Sequence, residues 1–257
     1  MPEFRGAFHL HSRYSYDGQI PLQEMAPMLK EKGYSFGLMS EHAYDRAKKR
    51  FLTREEFQKF IEDCRRYSSP DFLLVPGLEF ACYDNKVHLL TTPLPRAFSL
   101  EGLDTAPKIL ETARRENALA FLVHPFYGKA HARLTAGEFS ALDGFEIWNY
   151  NYQRKLGPSA PEYFKSVEWL KRGNSRAIAG LDLHRKEDLA DISIKIKAEM
   201  LKEEIIFEKL RAGDYGLHAL KRKFDSKGRI DCLPSHWVRR TASRIKGRVK
   251  RFFSSGK

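Results

Sequence analysis

Ala7-Phe-His9-Leu-His11 is a short apolar run that ends in two histidines one residue apart. Four more runs of similar make recur along the chain: Phe36-Gly-Leu-Met-Ser-Glu41-His42, Leu73-Leu-Val-Pro-Gly-Leu-Glu79, Ala120-Phe-Leu-Val-His124-Pro and Ala177-Ile-Ala-Gly-Leu-Asp182-Leu-His184. Each reads as a β-strand that delivers an imidazole or a carboxylate at its end. A strand followed by a ligand, repeated along a chain, describes a barrel whose strand ends converge on one site.

With Asp17 and His88, these runs give nine residues of the types that hold divalent metals: His9, His11, Asp17, His42, Glu79, His88, His124, Asp182 and His184. Six of the nine histidines in the chain belong to this set. Imidazole and carboxylate suit zinc, manganese, iron and similar ions. Residues two apart on a strand point to one face, so both imidazoles of His9-x-His11 can reach one ion, and Asp182-x-His184 repeats the arrangement. Glu79 follows an apolar run, where a buried carboxylate costs several kcal/mol unless paired or metal-bound. A lone His or Asp is most often ordinary surface or a satisfied core residue; the joint pattern is hard to reach by chance.

Around these runs, strand-like and helix-like segments alternate. Strands are expected at 5–11, 35–42, 72–81, 87–92, 120–124, 144–148, 177–183 and 192–198. Helices are expected at 22–32, from Thr53 onward, and at 106–117, 135–142, 162–171 and 202–211. Thr53 with Glu56, and Thr135 with Glu138, have the spacing of capping boxes. The alternation favours a parallel sheet wrapped by helices, with about seven units before Gly216, which is closer to a closed barrel than to an open sheet.

The 257 residues, 42% hydrophobic, suit one α/β barrel or two small domains. No apolar stretch approaches the 18 or more residues of a transmembrane helix. The start, Met1–His11, lacks an apolar signal-peptide core. Three dispersed cysteines, Cys64, Cys82 and Cys232, fit a reducing cytoplasm rather than a disulfide framework or a CxxC zinc site.

Charge is unevenly spread. Residues 219–257 hold 13 Lys and Arg against Asp225 and Asp231, so nearly all of the net charge of +12 lies there. The expected boundary divides a body at 1–217 from a basic tail at 218–257. On a helical wheel, Val238, Ala242, Ile245, Val249, Phe252 and Phe253 fall within about 100° of arc, with most of the cations opposite. That is the pattern of an interfacial helix on an anionic membrane, and residues 236–257 are the expected contact. Nucleic acid is the less favoured partner, because it leaves the apolar stripe unexplained. A helix docked on its own barrel is the plain alternative.

The motifs together resemble the PHP (polymerase and histidinol phosphatase) family, in the compact form of a stand-alone phosphoesterase. The resemblance covers about residues 5–216. It rests on His9-Leu-His11-Ser-Arg-Tyr-Ser-Tyr-Asp17-Gly, Ser40-Glu41-His42, Gly77-Leu-Glu79, Val87-His88-Leu-Leu, His124-Pro125, Glu146-Ile-Trp-Asn149 and Gly180-Leu-Asp182-Leu-His184. It implies a distorted (β/α)7 barrel with a trinuclear site. By that analogy His9, His11, Glu79 and Asp182 hold one ion; Glu79 bridges to a second with His88 and His124; Asp17, His42 and His184 hold the third. The chain departs from the family pattern at Glu41, where Asp is usual. The short spacing from His88 to His124 leaves no room for the domain that some nucleotide-cleaving relatives insert there.

The resemblance implies a hydrolase that uses two or three divalent ions, of manganese, zinc or iron. Paired ions lower the pKa of a bridging water and supply hydroxide near neutral pH. The expected reaction is in-line attack of this hydroxide on a phosphoryl group, most simply that of a small phosphomonoester. Arg13, Lys129, His131 and Arg185 lie within or just after ligand motifs and are candidates to bind phosphate; each has a plain reading as a solvated loop residue. Glu41, Glu146 and Asn149 are expected to orient ligands or touch substrate. The competing readings are a phosphodiesterase or exonuclease, and a metal-stabilised barrel that only binds. The expected location is the cytoplasm, peripheral at the inner face of the membrane.

Overall fold

A computed structural model describes residues 1–153 and 157–231. The amphipathic pattern expected at 236–257, like Cys232, lies outside the described residues.

Two six-stranded sheets carry the fold. In the first, Glu3–Leu10 is flanked by Phe36–Met39 in parallel and by Ile192–Lys197 in antiparallel. Leu73–Val75 extends one edge, and the hairpin of Gly216–Ala219 and Arg222–Asp225 extends the other. In the second the order is Arg176–Gly180, Gly144–Asn149, Leu119–Val123, Val87–Thr92, Leu78–Cys82 and Glu41–His42.

The sheets run into one another. A single residue, Ser40, separates Phe36–Met39 from Glu41–His42, and Pro76-Gly77 separates Leu73–Val75 from Leu78–Cys82, so two neighbouring chains cross together from one sheet to the other. Past the end of Arg176–Gly180, Leu181 and Leu183 donate to the carbonyls of Phe8 and His9 at 2.9 and 3.0 Å, and His11 donates to that of Leu183 at 2.9 Å. The architecture is a mixed α/β fold, with helices such as Arg54–Arg66 and Ala106–Arg115 packed on the strands.

The expected parallel pattern fails at two strands, Ile192–Lys197 and Val87–Thr92. Val87–Thr92 is antiparallel to both its neighbours. Only Tyr83–Lys86 links it to Leu78–Cys82, with Tyr83, Asp84 and Asn85 all at positive φ. A parallel return needs a dozen or more residues, so this tight turn admits only a hairpin. Two further hairpins carried no sequence expectation: Tyr44–Asp45 with Arg50–Phe51, and the one at 216–225, which puts residues on both sides of position 217 in one sheet.

The helices follow local chemistry. Thr53 and Thr135 form the expected capping boxes with Glu56 and Glu138, and Ser159 with Glu162 forms a third. Arg54–Arg66 buries Phe57, Phe60, Ile61 and Cys64, the i, i+3, i+4, i+7 stripe of a helix with one apolar face. The core between helices and strands is dense in large side chains, among them Phe8, Phe36, Phe60, Phe72, Phe80, Phe121 and Trp148. No helix among the described residues is long and apolar enough to cross a membrane.

Candidate metal centre

The ends of the central strands converge on one cleft of about 370 Å³, lined by Asp17, His42, Glu79, His88, His124, Asp182 and His184. His9 and His11 lie beneath it, fully buried. All nine candidate ligands, the seven from the runs with Asp17 and His88, therefore come together.

Backbone shape aims several of them. The register between Glu3–Leu10 and Phe36–Met39 slips between Phe8 and Leu10, so His9 is the extra residue of a bulge. His9, Asp182 and His124 have φ of 68°, 53° and 32°, in the region that side chains other than glycine rarely occupy. Such strain persists where the surrounding structure holds a residue in a required direction. Gly180 is required for another reason: a Cβ there would lie 1.9 Å from Glu146 Oε1.

Glu79 is the hub. Its Oε2 lies 3.3 Å from His9 Nε2, 3.2 Å from His11 Nε2 and 3.4 Å from His42 Nδ1. Its Oε1 lies 3.1 Å from His124 Nε2 and 2.5 Å from His88 Nδ1. Asp182 Oδ1 faces His9 and His11 at 3.4 and 3.5 Å. Asp17 reaches His42 at 3.3 Å through Oδ2 and His184 at 3.5 Å through Oδ1.

Several of these contacts have the geometry of ligands facing a common ion rather than of hydrogen bonds. Two donors each about 2.1 Å from an ion, at tetrahedral to octahedral angles, sit roughly 3.0–3.4 Å apart. His11 Nε2, His88 Nε2 and Asp17 Oδ1 are buried with no hydrogen-bond partner, which an ion would supply. Four groups bring their donor atoms within 4.8 Å: His9, His11 and Glu79; Glu79, His88 and His124; His9, His124 and Asp182; and His11, His42 and His184. The residues fit divalent metal. The groups overlap more than the three sets implied by the family resemblance, because His11 also gathers with His42 and His184, and His9 with His124.

Behind the donors stands a layer of hydrogen bonds. Glu146 Oε1 accepts from His9 Nδ1 at 2.8 Å, while its Oε2 accepts from the His124 main chain and from Asn149 Nδ2. In the neutral ring this puts the His9 proton on Nδ1 and leaves Nε2 bare toward Glu79. Glu41 is fully buried and accepts from Ser12 N, Ser12 Oγ and Ser15 Oγ. Ser15 Oγ in turn accepts from the His42 main chain and from His11 Nδ1. A carboxylate thus fixes His11 through a hydroxyl.

Proton affinities reflect the crowding. Burial pushes against charge on His9, but Asp182, Glu146 and Glu79 hold it well above the usual imidazole range. Burial likewise lowers His11, and the Asp182 and Glu79 carboxylates beside its Nε2 overcome it, raising the ring to about 9. Burial would raise the Glu79 carboxyl; His88, His42 and His9 outweigh it and keep Glu79 well below the usual carboxylate range. Asp182 is lowered in the same manner, chiefly by His9 and His11 against its burial. Without ions, protons on the imidazoles balance the two carboxylates.

The four phosphate candidates separate. Arg185 lines the cleft. Arg13 turns its Nε to the Gln19 carbonyl, Lys129 is exposed, and His131 lies between the Pro125 carbonyl and Lys165 against Trp169. Sequence reasoning missed Arg46, Tyr16, Tyr127 and Tyr152, which also line the cleft. Tyr16 stacks on His42 with centroids 5.0 Å apart, and the Arg46 guanidinium lies 5.8 Å above Tyr16. Only proximity to the motifs, four residues from His42 to Arg46 and three from His124 to Tyr127, could have pointed to them.

No protein-family model matches the chain, and no curated protein matches its sequence. Solved structures do match. A two-domain protein of Bacteroides vulgatus containing a predicted PHP-like metal-dependent phosphoesterase aligns with a TM-score of 0.67 at 17% identity over 87% of this chain, which spans 66% of that protein. A Bifidobacterium adolescentis protein assigned as a metal-dependent phosphoesterase gives 0.52 at 13% identity, covering 80% of this chain and 96% of its own. A lesion-specific endonuclease of Pyrococcus furiosus gives 0.52 at 16% identity, covering 84% and 58%.

Proposed function

Because this chain has the PHP-like fold, we propose that it is a metal-dependent phosphoesterase that hydrolyses a small phosphomonoester. The observation that carries the reading is Glu79, whose two carboxylate oxygens face two separate sets of imidazoles. We read the two sheets, which meet through the Leu181, Leu183 and His11 main-chain bonds, as the distorted barrel that gathers them.

Glu79 would bridge two ions, one held with His9, His11 and Asp182 and the other with His88 and His124. Asp17, His42 and His184 would hold a third. When bound, such ions lower the pKa of a shared water and neutralise charge on phosphate oxygens. Glu146 and the Glu41–Ser15 pair keep His9 and His11 in the tautomer that offers Nε2. Arg185 and Arg46 line the same cleft and would hold phosphate oxygens.

The test is metal content and turnover together. Two or three ions per chain are expected, with phosphate release from a panel of phosphorylated metabolites that stops when the ions are removed. Full ion content with no hydrolysis would support a binding module instead.

One observation favours a second reading. In the basic turn Arg46-Ala-Lys-Lys-Arg50, Lys48 and Arg50 pair with Glu56, and Arg46 lines the cleft, where it would meet a phosphodiester backbone. Release of mononucleotides from single-stranded DNA or RNA decides between monoesterase and exonuclease. For residues 236–257, co-sedimentation with anionic vesicles tests the proposed peripheral placement; equal recovery without lipid would remove it.

A further inference from the structure

We infer that Tyr127 and Tyr152 form a stacking platform that selects phosphate esters carrying a planar aromatic or heteroaromatic ring. The inference rests on the phosphoesterase reading and gives its substrate a shape.

Most large aromatic side chains are buried or answered by a partner. Of the exposed ones among the described residues, Tyr44 and Phe51 pack on each other across a hairpin, Phe164 meets Tyr163 edge-on away from the cleft lining, and the Tyr83 hydroxyl donates to Glu138. Tyr127 and Tyr152 remain 54% and 45% exposed, and both open into the metal cleft. Their ring centroids lie 4.5 Å apart with planes at 35°. Tyr152 also packs on His124 at 5.0 Å, and Tyr127 meets His124 edge-on at 6.1 Å.

Both rings are anchored to the centre through their backbones. Tyr127 N donates to the His124 carbonyl at 3.0 Å, and Tyr152 N donates to Asn149 Oδ1 at 3.2 Å. Asn149 itself donates to Glu146. The platform is therefore fixed relative to the ligand turn before any substrate arrives, which reduces the ordering cost of binding. Of the other side chains along the cleft, Tyr16 is already stacked between His42 and Arg46, and Asp17, Gln19, Asn85, Asn151 and Arg185 are polar. An apolar group on the substrate is best accommodated over the tyrosines. A ring stacked there lies about 4.5–7 Å from its tyrosine, and the tyrosines lie 6.1 and 5.0 Å from His124, which directs its phosphoryl group toward the donors around Glu79.

Planarity distinguishes stacking from simple burial of apolar surface. Phenylphosphonate and cyclohexylphosphonate resist hydrolysis, have equal carbon number, and differ in ring shape. Calorimetric titration of the manganese-loaded full chain should show phenylphosphonate binding about tenfold tighter, in line with aromatic stacking energies. In Tyr127→Ala/Tyr152→Ala the ratio of the two affinities should fall to near one, and in Tyr127→Phe/Tyr152→Phe it should be kept. A merely structural role would weaken both ligands together and leave the ratio intact. Equal binding by the unaltered chain, absence of binding by both ligands, or an unchanged ratio in the alanine variant overturns the inference. Hydrolysis of phenyl phosphate is scored separately. Turnover without a binding preference removes the platform and keeps the esterase; preference without turnover does the reverse.

Discussion

The floor and the rim of the metal cleft are built by different rules. On the floor, His9, His11, Glu79, His124 and Asp182 are buried and stand at strand ends or just past them. On the rim, Tyr16, Arg46, Tyr127, Tyr152 and Arg185 sit on turns and short segments, exposed or half-buried. Buried charged groups persist only when each is paired, so a change on the floor reaches every neighbour. A rim side chain faces water, and its loss stays local. Under the proposed function, the chemistry would belong to the floor and the choice of substrate to the rim.

The sharpest way to break that contrast is Asp182→Ala. It removes a carboxylate that faces His9 and His11, so ion content should drop and phosphate release should fall by about 10³-fold or more. Full activity with full metal content would mean that the floor is not the reactive part. Glu146→Gln should have a smaller effect. It keeps the volume but weakens the hold on His9 and His124, and metal affinity measured by competition with a chelator should fall about 10–100-fold.

Acidity probes the floor in a third way. His11 is raised to about 9 in the metal-free protein, so its stabilising contribution is complete below about pH 6.5 and is lost as pH rises through 9. The melting temperature of the metal-free chain should therefore decline across that window, while metal affinity climbs because the ions displace protons. Parallel rises in both would contradict the proton-for-metal exchange. The mildest expected effect is at the rim. Arg185→Ala should raise KM about threefold to tenfold with metal content unchanged. A loss of ions in that variant would erase the distinction between the two regions.

The floor was legible in the sequence for the same reason that it is costly to change. A buried ligand must follow an apolar strand, and that order of residues is visible in Ala7–His11 and Ala177–His184. Capping boxes at Thr53 and Thr135 were legible because they depend on residues three apart. The reversed strand Val87–Thr92 was not, since an apolar run carries no sign of its direction; only the four-residue turn before it does. The bond from Ser15 to Glu41 spans 26 positions, and no local pattern announces it. Tyr152 escaped notice because exposure, not type, makes a tyrosine useful, and exposure is a property of the folded chain.

The left-handed backbone at His9, His124 and Asp182 has a consequence for anyone who would redesign this scaffold. A procedure that chooses residues by how well they suit the local chain path would place glycine or asparagine at these three positions. It would gain a more relaxed backbone and delete three donors in the same step. Here thermostability and catalytic competence compete at individual residues, and these three must be held fixed before any other position is optimised.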